Sequence, residues 1–310
     1  MAGSVRSFRP GGNPGGAVAA RVTQETADVD PTMTPPTPSP ASRPDDHDRA
    51  RPPRRVGVIG HGAVGSVVAE ALDRGVPGLV LAGVHARSPV PDRYRAGSFD
   101  ELLSGADLVV EAASQEAVAS YGPAVVAAGA DLLVVSVGAL RDDGLLATLG
   151  RGAGRLLVTT GAIGGVDQLR AAALLGSLDE VSLTTTKPPR ALVRPWMSAA
   201  EAAAVEEATA PVAVYDGPAR EAVERFPTSV NVAATLSLVT IGFDRVHVRL
   251  VADPATDHVE HHIVARGAAG DYEFRFRNVP SPANVRTSAV TPFAVLRGLA
   301  DLDAHTVIGF

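Results

Sequence analysis

Cysteine is absent from the 310 residues, tryptophan occurs once, and lysine supplies one of 28 basic residues, the other 27 being arginine. With no cysteine there are no disulfides, no thiolate metal sites and no cysteine nucleophile, and the composition fits a reducing, cytoplasmic compartment. No apolar run reads as a membrane span. Arg54-Arg55 resembles the start of a twin-arginine export signal, but His61, the following glycines, Glu70 and Asp73 interrupt the apolar stretch that such a signal needs. Positive charge is also scarce. A net charge of -6 leaves no global basic field to recruit nucleic acid or an anionic membrane, so a small anionic ligand needs a local site.

What remains is an ordinary globular composition, 45% hydrophobic and 20% charged, long enough for about two domains. Residues 1–54 stand apart. They open Gly-, Ala- and Ser-rich, and Pro31 to Arg54 holds eight prolines, a composition that buries too little surface to offset the entropy of ordering. A disordered extension is expected there.

From Arg55 onward strands and helices alternate, the order that builds a parallel sheet covered on both faces. The run Val56 to Gly65, VGVIGHGAVG, is a short buried strand breaking into Gly60, Gly62 and Gly65, with Ala63 and Val64 inside the turn and a helix after it. This is the dinucleotide turn: Gly60 for the tight bend, Gly62 for backbone approach to a pyrophosphate, Gly65 for close packing of helix on strand, and the helix amino end for the anion. His61, between two of these glycines, is read as pointing away from the cofactor. The acid that grips the ribose hydroxyls belongs about 20 residues further on, at the end of the second strand. Val84-His85-Ala86-Arg87-Ser88 stands there without a carboxylate. Arg87 and Ser88 suit a 2′-phosphate, so NADP is allowed alongside NAD; the alternative is a solvated Arg87 with NAD still accepted.

Past Thr160 the pattern changes to a glycine-rich entry into a helix over Gly161 to Leu175, a strand Val181 to Thr186 delivering Lys187-Pro188-Pro189, helices at Ala200 to Ala208 and Asn231 to Leu238, and a short strand at Val212 to Tyr215. Three alternating strands follow at Val246 to Val251, His261 to Ala265 and Tyr272 to Arg277, and a helix at Thr291 to Leu299. The expected fold is α/β: a Rossmann-type domain over 55–160, closed by the helix near 291–299, and a second α+β domain for substrate and dimerisation over 161–290, with the active site in the cleft between them.

Six motifs occur in order: Ser136 to Leu140 (SVGAL), Gly161 to Asp167 (GAIGGVD), Lys187-Pro188, Phe226 to Leu236 (FPTSVNVAATL), Ala252 to Pro254 (ADP) followed by His261, and Arg286 to Ala289 (RTSA). Together they resemble the L-aspartate dehydrogenase family over about residues 55 to 310. The resemblance implies NAD(P)-dependent oxidation of L-aspartate to iminoaspartate, which hydrolyses to oxaloacetate and ammonia or feeds pyridine-nucleotide synthesis. It implies cofactor contacts at Ala162 and Asn231, catalysis by His261, and a homodimer. Two departures from the family pattern stand out. Val259 replaces a common Asn two residues before the histidine, and Val285-Arg286 replaces Pro-Lys, keeping a cation.

Oxidation at an α-carbon that bears an amine calls for an acid/base with a pKa near neutrality, and histidine on a strand facing the cleft suits that task. The two carboxylates of aspartate need cations or N–H and O–H donors, for which Lys187, Arg286, Thr287 and Ser288 are the candidates. Two readings of Lys187 stay open: a compact ammonium required by a confined site, or a strand end with a proline-fixed turn. A metal site at His258, His261 and His262 is not expected, because adjacent residues on a strand diverge and no carboxylate set completes it. The alternatives to the aspartate enzyme are a dihydrodipicolinate reductase-like oxidoreductase, suggested by Glu260-His261-His262, and a non-catalytic NAD(P)-binding sensor.

Overall fold

The computed structural model describes residues 52–307, apart from 177, 228 and 229. All but the last three residues of the expected disordered extension lie outside the described residues, and the first strand opens at Arg54.

The first half consists of β1 (Arg54–Ile59), α1 (Gly65–Arg74), β2 (Leu79–His85), α2 (Phe99–Ser104), β3 (Leu108–Glu111), α3 (Gln115–Ala127), β4 (Asp131–Val134), α4 (Asp143–Gly150) and β5 (Leu156–Val158). The strands form one parallel sheet in the order β2-β1-β3-β4-β5. Central strands of such a sheet are buried on both faces and therefore read as continuous apolar runs, as LVVE of β3 and DLLV of β4 do. Val56 and Val58 of β1 share a core with Val68 and Leu72 of α1, while Ile59, Val109 and Val134 pack toward Leu102 of α2, Val118 of α3 and Leu149 of α4.

The second half runs α5 (Val166–Leu175), β6 (Leu178–Lys187), α6 (Ala199–Glu206), β7 (Val212–Pro218), α7 (Ala219–Arg225), α8 (Asn231–Val239), β8 (His247–Ala252), β9 (Val259–Gly267), β10 (Gly270–Asn278), β11 (Pro280–Ser281), β12 (Asn284–Ser288) and α9 (Thr291–Asp301). The sheet order is β10-β9-β6-β8-β7, with β6 and β8 parallel and the other pairs antiparallel. Alternation sends Leu183, Val248, Leu250 and Ile263 into a core with Leu169 of α5, Val223 of α7 and Leu236 of α8. The opposite face is polar and tied by ion pairs such as Arg266–Glu180 and Arg277–Glu260.

α8 is buried along Val232 to Ser237, and its small side chains let it lie close to the 3-10 turn Val137–Arg141 and to α7. β11 and β12 make a hairpin that returns the chain to the first sheet, where Val295 and Leu299 of α9 enter the core shared by β1 and α1.

Most expected elements agree within a few residues. The glycine-rich entry expected from Gly161 leads into α5 at Val166, with Gly161 (φ +63°) and Gly165 (φ +71°) in left-handed conformations ahead of the helix. α7 and the β11–β12 hairpin have no counterpart in the sequence pattern, since a seven-residue helix and strands of two and five residues are too short to register a period.

Candidate active site

The glycine turn has the geometry that its spacing suggests. Gly60 has φ +97°, and a Cβ there would stand 2.6 Å from the Ala112 carbonyl oxygen; a Cβ on Gly65 would stand 2.1 Å from the Gly60 carbonyl oxygen. Gly62 has open space instead, with nothing within 4 Å of a notional Cβ. α1 carries no side-chain cap at its amino end; its Ser66 N–H donates to the Gly62 carbonyl oxygen at 3.0 Å, and no side chain covers the positive end of the helix dipole. His61 has its Nδ1 3.1 Å from the Pro89 carbonyl oxygen in the loop after β2, and it lines the recess outside the turn.

Three adjoining recesses start at this turn. The outer one is lined by Gly60, Gly62, His85, Arg87, Ser88 and Glu116. It shares Gly62, Ala113 and Ser114 with a middle recess that also holds Ala63, and the middle recess shares Val64, Asn231 and Thr287 with an inner one. The inner recess brings together Ala162, Lys187, Asn231, His261 and Arg286-Thr287-Ser288. Gly65 lines none of the three, because it packs beneath Gly60. The bare face at Gly62, the uncapped helix end and a trough running across the carboxyl ends of the strands fit an extended dinucleotide, with the inner recess at its far end.

The inner recess is built by register. Thr185 and His261 face each other across β6 and β9, and Lys187 lies two residues along β6 on the same face. His261 is buried, with Nδ1 3.0 Å from Thr185 Oγ1. Its neighbour His262 lies on the other face and bonds Glu273 at 2.8 Å, while His258 pairs with Asp257. Lys187 is buried as well, and its Nζ donates to the Arg286 carbonyl oxygen at 3.0 Å, which fastens β6 to β12. Asn231, at the start of α8, accepts from the Gly138 N–H at 3.2 Å, and Ala162 accepts from Asn278 Nδ2 at 2.9 Å. Trp196 lies outside the recesses, donating to the Arg225 carbonyl oxygen and packed edge-on to Phe226.

Burial and like charge set the electrostatics. Burial, with the cations Arg194 and Arg286 nearby, pushes the Lys187 ammonium down to about 7. Burial, and then the Lys187 charge, pushes His261 down to about 3, so its imidazole is neutral at physiological pH. Arg194, held between the Ala191 and Val193 carbonyls and over Phe226, is pushed down to about 10 by burial and Arg286. This part of the site is thus a pocket of positive potential in an acidic protein, beside a neutral proton carrier.

Two residues of the site lay outside the sequence-based expectations. Thr185 is one. Glu111 is the other: the last residue of β3, fully buried, it accepts from Ala113 N–H (2.8 Å), Ser114 N–H (2.9 Å), Ser136 N–H (3.0 Å) and Ser136 Oγ (2.9 Å). Burial pushes its carboxyl up, against four hydrogen bonds that pull it down. It braces the two loops that wall the trough. A carboxylate ending an apolar strand next to the glycine turn was the signal available in the sequence.

Comparison with known proteins agrees with this geometry. The family model for the aspartate dehydrogenase C-terminal domain matches residues 167–302, and that for the homoserine dehydrogenase NAD binding domain matches residues 60–155. L-aspartate dehydrogenase of Methanosarcina barkeri is 37% identical over 272 residues, covering 82% of this chain and 99% of the relative. The Ralstonia pickettii enzyme of the same name is 38% identical over 269 residues, covering 81% and 98%. The crystal structure of aspartate dehydrogenase from Thermotoga maritima superposes with a TM-score of 0.66 at 28% identity, covering 83% of this chain and 99% of that one. With its glycine turn, its two sheets and the inner recess between them, the chain belongs to the L-aspartate dehydrogenase family of NAD(P)-dependent amino-acid dehydrogenases.

Proposed function

We propose that His261 is the acid/base of L-aspartate oxidation in this chain and that Lys187, Arg286, Thr287 and Ser288 hold the two substrate carboxylates. The observation that carries the proposal is the convergence of a buried neutral imidazole and a buried ammonium in one recess at the end of the glycine-turn trough. Gly60, Gly62, Ala63 and Val64 form the grip for the pyrophosphate with Gly65 packed beneath them, and Ala162 and Asn231 flank the nicotinamide end. A nicotinamide held there would supply the acceptor for the hydride of the substrate α-carbon.

The residues divide the rest of the work. The Lys187 ammonium, with the Arg286 side chain and the Thr287 and Ser288 hydroxyls, fixes the carboxylates and so orients the α-carbon. His261 Nε2 receives the proton that the substrate ammonium must lose, leaving the nitrogen lone pair to form the imine. In the reverse direction the same nitrogen returns the proton. Burial is the larger cause that lowers His261 and the Lys187 charge the smaller; an anionic carboxylate against Lys187 offsets the second and so moves the imidazole up, toward the range an acid/base needs once substrate is bound.

Arg87 and Ser88 in the outer recess support NADP acceptance beside NAD, and dissociation constants for the two cofactors are the direct comparison. A homodimer belongs to the same proposal, supported by the family and checked by light scattering for twice the 31.8 kDa chain mass. So does a cytoplasmic location, which the cysteine-free composition suits. Iminoaspartate leaving the site either hydrolyses or supplies pyridine-nucleotide synthesis.

The test is appearance of reduced-nicotinamide absorbance with L-aspartate, and its loss with oxaloacetate plus ammonia. His261→Ala should keep cofactor affinity and cut turnover by roughly a hundredfold or more. Turnover unchanged in that variant moves the role to another group, and no signal with either cofactor favours a nucleotide sensor.

A further inference from the structure

Thr185 is 1% exposed and His261 2% exposed, and each finds in the other the sole hydrogen-bond partner that its side chain has among the described residues. They are directly paired across β6 and β9, so the Oγ1 to Nδ1 distance of 3.0 Å is fixed by two central strands and not by a loop. The same-face neighbours of His261 on β9 are Val259 and Ile263, both buried and apolar, and neither can orient an imidazole. The ring's remaining nitrogen, Nε2, is left to the recess that His261 lines.

A hydroxyl differs from the carboxylate that often orients a catalytic histidine, because it can donate as well as accept. When Nε2 is to take a proton, Nδ1 must carry one, and Thr185 Oγ1 accepts it. When a neutral ring presents Nε2–H to a substrate oxygen, Nδ1 is bare and the Thr185 hydroxyl donates. A carboxylate at position 185 would lock the first arrangement and add a negative charge where a substrate with two carboxylates must bind.

We propose that Thr185 is a positioning residue of the reaction, its reversible hydrogen bond setting the ring plane and tautomer of His261 in both directions of turnover. The proposal rests on His261 being the acid/base. In the oxidative direction the substrate ammonium gives its proton to Nε2, while Nδ1–H stays on the ring and bonds Oγ1. The electron pair of the α-C–H bond leaves as hydride to the nicotinamide, and the nitrogen lone pair forms C=N. Thr185 gains and loses no proton overall.

The experiment uses Thr185→Val, which keeps the shape and removes the hydroxyl, with Thr185→Ser as rescue and His261→Ala as reference, all in the full chain. Thr185→Val should lower kcat by about 10- to 100-fold, the scale of one lost buried hydrogen bond, with the KM for aspartate and the cofactor dissociation constants nearly unchanged. Thr185→Ser should recover most of the rate. Nitrogen NMR of histidine-labelled protein should show the tautomer balance of His261 altered in Thr185→Val, and Thr185→Ala provides the same readout if the valine variant does not fold. The double variant Thr185→Val/His261→Ala should be no slower than His261→Ala alone. Losses that multiply in the double variant, or wild-type turnover in Thr185→Val while His261→Ala is inactive, overturn the proposal and leave the role of His261 standing. Wild-type turnover in His261→Ala removes the acid/base reading itself, and this proposal with it.

Discussion

Three glycines within six residues serve three different physical needs, and they separate under substitution. At Gly65 a methyl group meets the Gly60 carbonyl oxygen at 2.1 Å, which the backbone must move to relieve. At Gly62 it meets nothing within 4 Å and projects into the trough. Gly65→Ala should therefore destabilise the fold by about 1–3 kcal/mol, the ordinary cost of overpacking, and lower the thermal midpoint. Gly62→Ala should leave the midpoint where it is and weaken cofactor binding by roughly tenfold, because one buried methyl displaces backbone contacts to phosphate. Thermal unfolding and a fluorescence titration of each variant check both halves. Equal midpoints for the two variants would mean that Gly65 is not a packing position.

The elements that wall the trough are held together by one side chain at the end of one strand. Glu111 presents two carboxylate oxygens to three backbone N–H groups and a hydroxyl, joining the loop after β3 to the loop after β4. Glu111→Gln keeps the size but turns one acceptor into an NH2 group facing donors. The variant should lose about 1–3 kcal/mol of stability, since at least one buried N–H is left without a partner, and its cofactor dissociation constant should rise. Chemical denaturation and the same titration measure the two effects; unchanged values in both would mean that the loops hold their shape unaided. This brace also marks the limit of what the sequence revealed. The strands around Val56, Val109 and Leu133 were legible because burial on both faces leaves an unbroken apolar run, and β8 and β9 because burial on one face leaves alternation. His261, Lys187 and Asn231 were legible through residue type and family resemblance together, Lys187 partly because it is the lone lysine. Thr185 and Glu111 were not. Their importance comes from cross-strand register and from backbone donors converging from two loops; Thr185 leaves no local pattern in the chain, and Glu111 leaves only a carboxylate at the end of an apolar strand.

The whole molecule carries a built-in readout of its buried ammonium. The chain has one lysine and no cysteine, so between about pH 8 and about pH 9.5 no second lysine and no thiol contributes. Arg194, pushed down to about 10, acts beyond that window. In the unfolded chain Lys187 keeps its proton up to its ordinary value of 10.5, whereas in the folded protein it gives the proton up above about 7. Between those values the unfolded state holds the extra proton, so the free energy of unfolding rises with pH, by up to about 1.4 kcal/mol per pH unit for one full proton. Urea denaturation of the ligand-free protein across the window should show this rise. Lys187→Met, which keeps the length of the side chain and removes the charge, should give a flat profile and leave the α-amino group, the other group near the window, as an internal control. Parallel profiles for the two proteins would show that Lys187 does not change its proton affinity on folding. Saturating oxaloacetate, added without cofactor or ammonia, should flatten the wild-type profile, because a carboxylate against Nζ returns the ammonium toward its unfolded affinity. A slope that persists under saturation would move the dicarboxylate away from Lys187 and leave the lysine as a tie between β6 and β12.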